Sequence, residues 1–335
     1  METLAETNEM ILDPSLSLRP AQWSDLHAVT KLIYDVCVAD GDEVFAPSSE
    51  ELSDEWKKEG FTLEKDAWVV ITSDGRVVGY EEFVNRHVHA SLQGDGYVAL
   101  DAMGNGIGTA LLRVLEKRAH EEIPLAEPDL RVFLRNYMSM SDGDKVAREM
   151  HENEGYKAIR YSWRMRIDLD AFPPVAVFPA GVDLRPFIES EHARLVWEAD
   201  EEAFSDHWGH APSSFEKWQE NFFKDSRYDP TLWYIAWDGD QVAGHALCRY
   251  RGGIGWVRHL AVRRPWRKQG LGLALLYHAF GEFYKSGMAS IGLGVDAANP
   301  TGATRLYKKA GMKVTGEYVI YEKELRPGRE LEEEE

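Results

Sequence analysis

Val262-Arg-Arg-Pro-Trp-Arg-Lys-Gln-Gly-Leu-Gly272 decides the reading of this 335-residue chain. An apolar segment, Trp256 to Val262, has the make-up of a strand and runs straight into Arg267-x-x-Gly270-x-Gly272. An amphipathic helix is expected directly after, over Leu273 to Tyr284. A strand, a basic glycine-rich turn and a helix N-terminus together make an anion site. The turn amides and the unpaired amides of the first helical turn converge on one spot, and the helix dipole adds positive charge there. Gly270 and Gly272 let a phosphate approach the main chain closely. Between Arg258 and Lys268 stand five Lys/Arg and no Asp/Glu, in a chain of formal net charge -19. Such a local excess of positive charge points to a polyphosphate ligand. The turn is not a Walker A loop, because no Gly-Lys-Ser/Thr follows. It is not G-x-G-x-x-G either, which argues against a dinucleotide-dependent oxidoreductase.

The following residues narrow the choice. A strand, Ser290 to Val295, ends in Asn299-Pro-Thr-Gly-Ala-Thr-Arg-Leu-Tyr307-Lys-Lys-Ala-Gly311-Met312. With this second motif in place, the sequence resembles the Gcn5-related N-acetyltransferases (GNAT). Their pyrophosphate loop reads Arg/Gln-x-x-Gly-x-Gly/Ala. Their later motif reads Asn, a short helix carrying Leu-Tyr, then Gly-Phe. Here Met312 stands in place of Phe, and the Asn-to-Tyr spacing is one residue longer than the commonest version. The resemblance implies acetyl transfer to an amine, with acetyl-CoA as co-substrate and no metal. It puts the pyrophosphate on Arg267, Lys268, Gln269, Gly270, Leu271 and Gly272. It lays the pantetheine arm along Leu260, Ala261 and Val262, with Asn299 and Arg305 also on the cofactor side. It sets Tyr307 beside the sulfur as general acid, where an amide of the preceding strand would stabilise the oxyanion. Read from the residue type alone, Asn299 also suits a simple helix cap, and Tyr307 suits ordinary helix packing.

The chain repeats itself. Leu18-Arg19-Pro20 recurs as Leu184-Arg185-Pro186, Ala46-Pro47-Ser48-Ser49 as Ala211-Pro212-Ser213-Ser214, Trp68 as Trp233, Gly79 as Gly244, and Gly106-Ile107-Gly108 as Gly270-Leu271-Gly272, all at offsets of 164 to 166. The fold class expected is therefore α/β, two tandem GNAT-like domains, each a mixed, mainly antiparallel sheet flanked by helices. The expected boundaries are a disordered tail over 1–14, a domain over 15–170, a proline-rich linker over 171–181, a second domain over 182–326 and an acidic disordered tail over 327–335. The copies differ in their chemistry. In the first, Met103 stands where Arg267 stands in the second, Asp101 brings a negative charge, and Met150-His151 replace Leu306-Tyr307. The first domain is expected to keep the fold without the catalysis, with His151 in a structural role. This tandem plan is similar to that of the mycothiol synthase family, where a thiol-sugar amine is the acceptor. The Glu expected there on the strand before the loop is Trp256 here. A CoA-binding regulatory module without turnover is the remaining alternative.

Composition sets limits. Two cysteines, Cys37 and Cys248, fit a reducing compartment without disulfides. No zinc-type ligand cluster, membrane-length apolar run or basic leader is present, so a cytoplasmic protein is expected. The net negative charge argues against nucleic acid and is compatible with a cationic acceptor, a small-molecule or peptide amine. A monomer or homodimer is expected.

The acceptor side is read from Asp206-His207-Trp208-Gly-His210. His207 or His210 suits a general base near neutral pH. Asp206 suits pairing with a cationic acceptor, and Trp208, Trp256 and Arg258 suit the pocket wall. His259 follows Arg258, but strand alternation assigns it to the opposite face.

Overall fold

The computed structural model describes residues 12–330 apart from Gly209, Ala211 and Pro300; residues 1–11 and 331–335 of the expected tails lie outside the described residues. The first series of elements is β1 (Leu16–Pro20), α1 (Leu26–Ala39), α2 (Ser49–Trp56), α3 (Leu63–Asp66), β2 (Ala67–Thr72), β3 (Val77–His87), β4 (Ser91–Val98), α4 (Ile107–Glu122), β5 (Val132–Ser139), α5 (Lys145–Asn153) and β6 (Lys157–Asp168). The second series repeats the order without a counterpart of α3: β7 (Val182–Pro186), α6 (Glu189–Phe204), α7 (Phe215–Phe223), β8 (Trp233–Asp238), β9 (Gln241–Arg251), β10 (Ile254–Val262), α8 (Leu271–Lys285), β11 (Ser290–Asp296), α9 (Ala303–Lys309) and β12 (Lys313–Arg326). The class is α/β with mixed, mainly antiparallel sheets, as the sequence indicates.

These elements form two compact units. One runs to Arg160 and takes in the chain again from Val319; the other is Tyr161–Tyr318. The first unit's sheet has the order β1-β2-β3-β4-β5-β12, and the second has β7-β8-β9-β10-β11-β6. In each, four antiparallel strands are followed by a single parallel pairing, β4 with β5 and β10 with β11.

The units divide the chain elsewhere than at 170 and 182. Residues 171–181 carry no helix or strand, but each sheet is closed by a strand from the other half of the sequence. β6 lies antiparallel to β11 from Ser290↔Asp168 to Asp296↔Ser162. From Val319 onward β12 belongs to the first unit. Val319 and Tyr321 join the core of Leu112, Leu115 and Leu134, and the buried Glu322 carboxylate accepts hydrogen bonds from Arg131 and from Arg135 at 2.8 Å. The physical reason is that a closing strand needs a hydrogen-bonding edge, and its own residue pattern does not say which edge.

The second unit buries both faces of its sheet. α8 covers one with Leu271, Leu275, Leu276, Phe280 and Phe283, a stripe at helical spacing. α6 and α7 cover the other with Val196, Ala199, Trp218 and Phe222 against Trp233, Ile235 and Leu247.

Candidate active site

β10 carries the site because it runs partly alone. It pairs with β11 at only two positions, Gly255↔Ile291 and Trp256↔Gly292, while its pairing with β9 continues to Val262↔Gly244. Beyond Trp256 one edge of β10 therefore has no strand partner among the described residues, and Leu260, Ala261 and Val262 lie on that stretch. Backbone donors and acceptors on such an edge take an extended ligand as they would a strand.

The loop after β10 ends sooner than expected. α8 starts at Leu271, so Leu271 and Gly272 form its first turn. Gly270 is its N-cap in the left-handed conformation (φ 88°), and no side chain caps it. The first-turn amides thus keep their donors for a ligand. Lys268 is exposed and also left-handed (φ 63°), which is uncommon for a residue with a Cβ. Gln269 Nε2 donates to the Pro265 carbonyl at 2.9 Å. Arg267 faces the protein. Its guanidinium donates to the carbonyls of Val262 (3.0 Å) and Ala203 (3.2 Å) and to Asp206 Oδ2 (3.1 Å). It fastens the loop to the end of α6.

Tyr307 lies on α9, buried in the core that Leu260 and Val262 pack against. Burial pushes its hydroxyl up to about 12, and among the described residues that hydroxyl has no hydrogen-bond partner. Its neighbour Leu306 reaches α8, where a Cβ on Gly272 would lie 3.1 Å from Leu306 Cδ1. Asn299 Oδ1 accepts from the Thr301 amide (2.9 Å) and hydroxyl (2.6 Å), which makes it the organiser of the turn before α9. Arg305 is exposed, with its guanidinium near Gly302.

The acceptor-side residues separate. Asp206, expected to meet a cationic acceptor, instead accepts from Arg264 (2.8 Å) and Arg267 (3.1 Å), which hold its carboxyl below the usual range. His207 is half-buried beside Phe204, ring centroids 4.6 Å apart, and desolvation lowers its pKa. His210 Nε2 lies 3.3 Å from Glu201 Oε2. Trp208 is exposed. Trp256 is a core residue whose ring fills the space a side chain on Gly292 would need, 2.7 Å from that absent Cβ. Arg258 lies 4.0 Å over the Phe222 ring and donates to the Asn221 carbonyl (3.1 Å); burial and the nearby Arg249 push it down to about 10. A shallow open depression adjoins it, with room for about one water, lined by Phe222, Asp225, Tyr228, Trp233 and Arg249 among others.

His259 corrects the alternation argument. A β-bulge falls between Val257 and His259 in the pairing of β10 with β9. A bulge adds a residue to one strand and re-aims the side chains after it. Arg258 and His259 consequently both reach Phe222, His259 with a ring-centroid distance of 5.0 Å. His259 Nδ1 lies 3.0 Å from both carboxylate oxygens of Asp200, a buried residue of α6 that also accepts from His245 Nε2 (2.9 Å) and Trp218 Nε1 (3.2 Å). Burial works to raise the Asp200 pKa, but His259 and His245 outweigh it and hold the carboxyl well below the usual range.

Among the described residues no group of three or more His, Cys, Asp or Glu could hold a metal ion, and no helix is long and apolar enough to cross a membrane. The Acetyltransferase (GNAT) family matches residues 193–312, which contain both motifs. A crystal structure of a GCN5-related N-acetyltransferase from Sphaerobacter thermophilus superposes with a TM-score of 0.82, at 36% sequence identity over 96% of this chain and 99% of that one. The chain belongs to the GNAT family. It is an acyltransferase of the tandem GNAT type. A mycothiol acetyltransferase of Geodermatophilus obscurus is 25% identical over 295 residues, 85% of this chain and 89% of that protein. A tandem GNAT protein from the clavulanic acid biosynthesis pathway shares the fold at TM-score 0.73 and 17% identity, over 94% of this chain and 100% of that one.

Within this GNAT chain the first unit keeps the geometry of the loop and changes its groups. Gly106 caps α4 in the left-handed conformation (φ 75°), and Gly108 lies against Met150 as Gly272 lies against Leu306. Asp101 pairs with Arg76 at 2.9 Å. His151, expected from the sequence in a structural role, is buried. Its Nδ1 faces the Ala147 carbonyl (2.9 Å), its Nε2 faces Asn136 Nδ2 (2.8 Å), and burial pushes its pKa down to about 4.

Proposed function

We propose that the unit Tyr161–Tyr318 moves an acetyl group from acetyl-CoA to the primary amine of a small molecule or peptide, by direct transfer in a ternary complex. The observation that carries this is the meeting of three features where β10 leaves β11: the uncapped start of α8 at Gly270, the open edge of β10, and the unpartnered hydroxyl of Tyr307. The relatives named as acetyltransferases support the same reading.

The residues present fit the co-substrate. First-turn amides of α8 and the amides around Gly270 bind the pyrophosphate, aided by the helix dipole and by the exposed Lys268. Arg267 and Asp206 hold the loop in place. The free edge of Leu260–Val262 orients the pantetheine arm. Bound there, acetyl-CoA supplies an activated thioester. Tyr307, held protonated by its apolar surroundings, gives its proton to the departing sulfur. In the first unit, His151 stands at the place of Tyr307 with both ring nitrogens engaged, so transfer is assigned to the second unit alone.

The test is release of CoA thiol from acetyl-CoA on addition of primary amines, with acetyl-CoA binding measured by calorimetry. Tyr307→Phe should lower turnover by about 10²-fold or more while the dissociation constant stays within about twofold. Undiminished turnover in this variant would remove Tyr307 from the reaction, and absence of acetyl-CoA binding to the intact protein would end the acetyltransferase proposal.

A further inference from the structure

Amines are protonated at neutral pH, so transfer requires a group that takes a proton from the acceptor. The two bases expected from the sequence are less suited: His207 is half-buried beside Phe204, where desolvation disfavours the charged form it would have to take up, and His210 keeps only 14% of its side chain exposed. We propose that His259 is the general base, with Asp200 as the buried residue that orients it; this rests on the acetyl-transfer reading above.

The geometry fixes the tautomer. Asp200 is ionised and only accepts hydrogen bonds. Both its oxygens stand 3.0 Å from His259 Nδ1, so Nδ1 carries the hydrogen. In the neutral ring the lone pair is then on Nε2, at the edge turned away from the carboxylate. Trp218 and His245 donate to the same carboxylate and hold it from two further sides, one from α7 and one from β9. Phe204 and Phe222 flank the imidazole at 4.8 and 5.0 Å, so the ring has little freedom to turn. The side chain keeps 30% of its surface exposed, against 5% for Asp200 and none for His245. His259 is the member of the cluster that a ligand can reach. His259 also belongs to the stretch of β10 that has left β11.

The protons balance as follows. His259 Nε2 takes one proton from the acceptor ammonium. The amine lone pair then forms the C–N bond at the thioester carbonyl, and the C–S electron pair leaves with sulfur. Tyr307 protonates that sulfur. The surplus proton on the new C–N nitrogen returns to Tyr307, and His259 passes its proton to water. The products are an amide, CoA thiol and one released proton. The charged and titratable groups around His259 are Asp200 of α6, His245 of β9, Arg258 beside it on β10, and His207 beyond Phe204.

The tautomer is tested first, on the intact chain, by nitrogen-15 NMR of the histidine rings. A signal for His259 with Nδ1 protonated and Nε2 bare in its neutral form is expected; the opposite tautomer overturns the proposal. Transfer is then followed with ethanolamine and tyramine as acceptor probes. His259→Gln should lower kcat by about 10²-fold at neutral pH, keep acetyl-CoA affinity within about twofold, and abolish the acid limb of the pH profile. Asp200→Asn should lower kcat with KM nearly unchanged and populate the second tautomer of His259 in the nitrogen-15 spectrum, because an amide no longer selects Nδ1–H; a purely structural role would change the melting temperature and leave the tautomer in place. A His259→Gln protein that keeps the full rate and the acid limb overturns the assignment. If the intact protein binds no acetyl-CoA, the acetyl-transfer reading fails with it, whereas thiol release that is indifferent to His259 overturns the base alone.

Discussion

Gly272 in the first turn of α8 and Leu306 on α9 touch with no side chain between them, because a Cβ on the glycine would lie 3.1 Å from Leu306 Cδ1. The phosphate-binding loop and the Tyr307 helix are thereby joined at one point. Gly272→Ala should be tolerated, since the leucine methyl can yield by a few tenths of an ångström. Gly272→Val should push α9 outward and overpack the contact, at a cost of about 1–3 kcal/mol. Thermal unfolding and acetyl-CoA titration of the two variants check this: only the valine should lower both.

Gly270 and Gly106 offer a matched comparison. Both cap a helix in the left-handed conformation, at φ 88° and 75°. Alanine at either site should cost about 1–3 kcal/mol of stability. Acetyl-CoA affinity should fall only with Gly270→Ala. Equal losses of affinity at both positions would mean that the first unit also binds the co-substrate.

Tyr307 sets an alkaline limit. Its hydroxyl is raised from the ordinary 10.0 to about 12 by burial, so the protonated, proton-donating form persists throughout the neutral and mildly alkaline range. The kcat profile should stay flat up to about pH 10. An alkaline fall centred near pH 9, absent from Tyr307→Phe, would show that the hydroxyl ionises more readily than its apolar setting permits.

Asp200 links stability to pH. Its folded-state pKa lies below the ordinary 3.8, so its contribution is complete above that value and is lost as the pH falls through the lower folded value. Acid unfolding below about pH 4 should therefore be less steep in Asp200→Asn than in the unaltered chain. Asp200→Ala, which leaves His245 and Trp218 without their acceptor, should cost about 3–5 kcal/mol at neutral pH, measured by denaturant unfolding.

The tandem fold and the family were legible in the sequence because their signals are local. Glycines at a constant offset, Arg267-x-x-Gly270-x-Gly272 and Asn299 to Tyr307 each state a backbone requirement within a few residues. The residues around the acceptor were less legible because their meaning depends on partners far along the chain. Asp206 has the composition of an acceptor ligand until Arg264 and Arg267 claim it. Trp256 resembles a pocket wall until Gly292 proves to be the space it fills. His259 was placed on the wrong face by alternation, since the two-residue period holds only where a strand has no bulge, and no residue between Val257 and His259 announces one. Gly252 and Gly253, both with positive φ, mark a tight turn before β10 but carry no information about the bulge beyond it.

The chain should not divide at its repeat boundary. Expression of residues 1–170 and 171–335 as separate proteins should give poorly soluble products with early, non-cooperative melting, since the first lacks the strand from Val319 and the second lacks the one from Tyr161. Two independently folded, cooperatively melting halves would contradict the strand assignment.

That exchange also bears on heredity. A gene that lost its first repeat would lose with it the strand that completes the second sheet beside β11. The first half therefore supplies backbone hydrogen bonds that the second sheet needs, whatever the loop at Asp101 and Met103 binds.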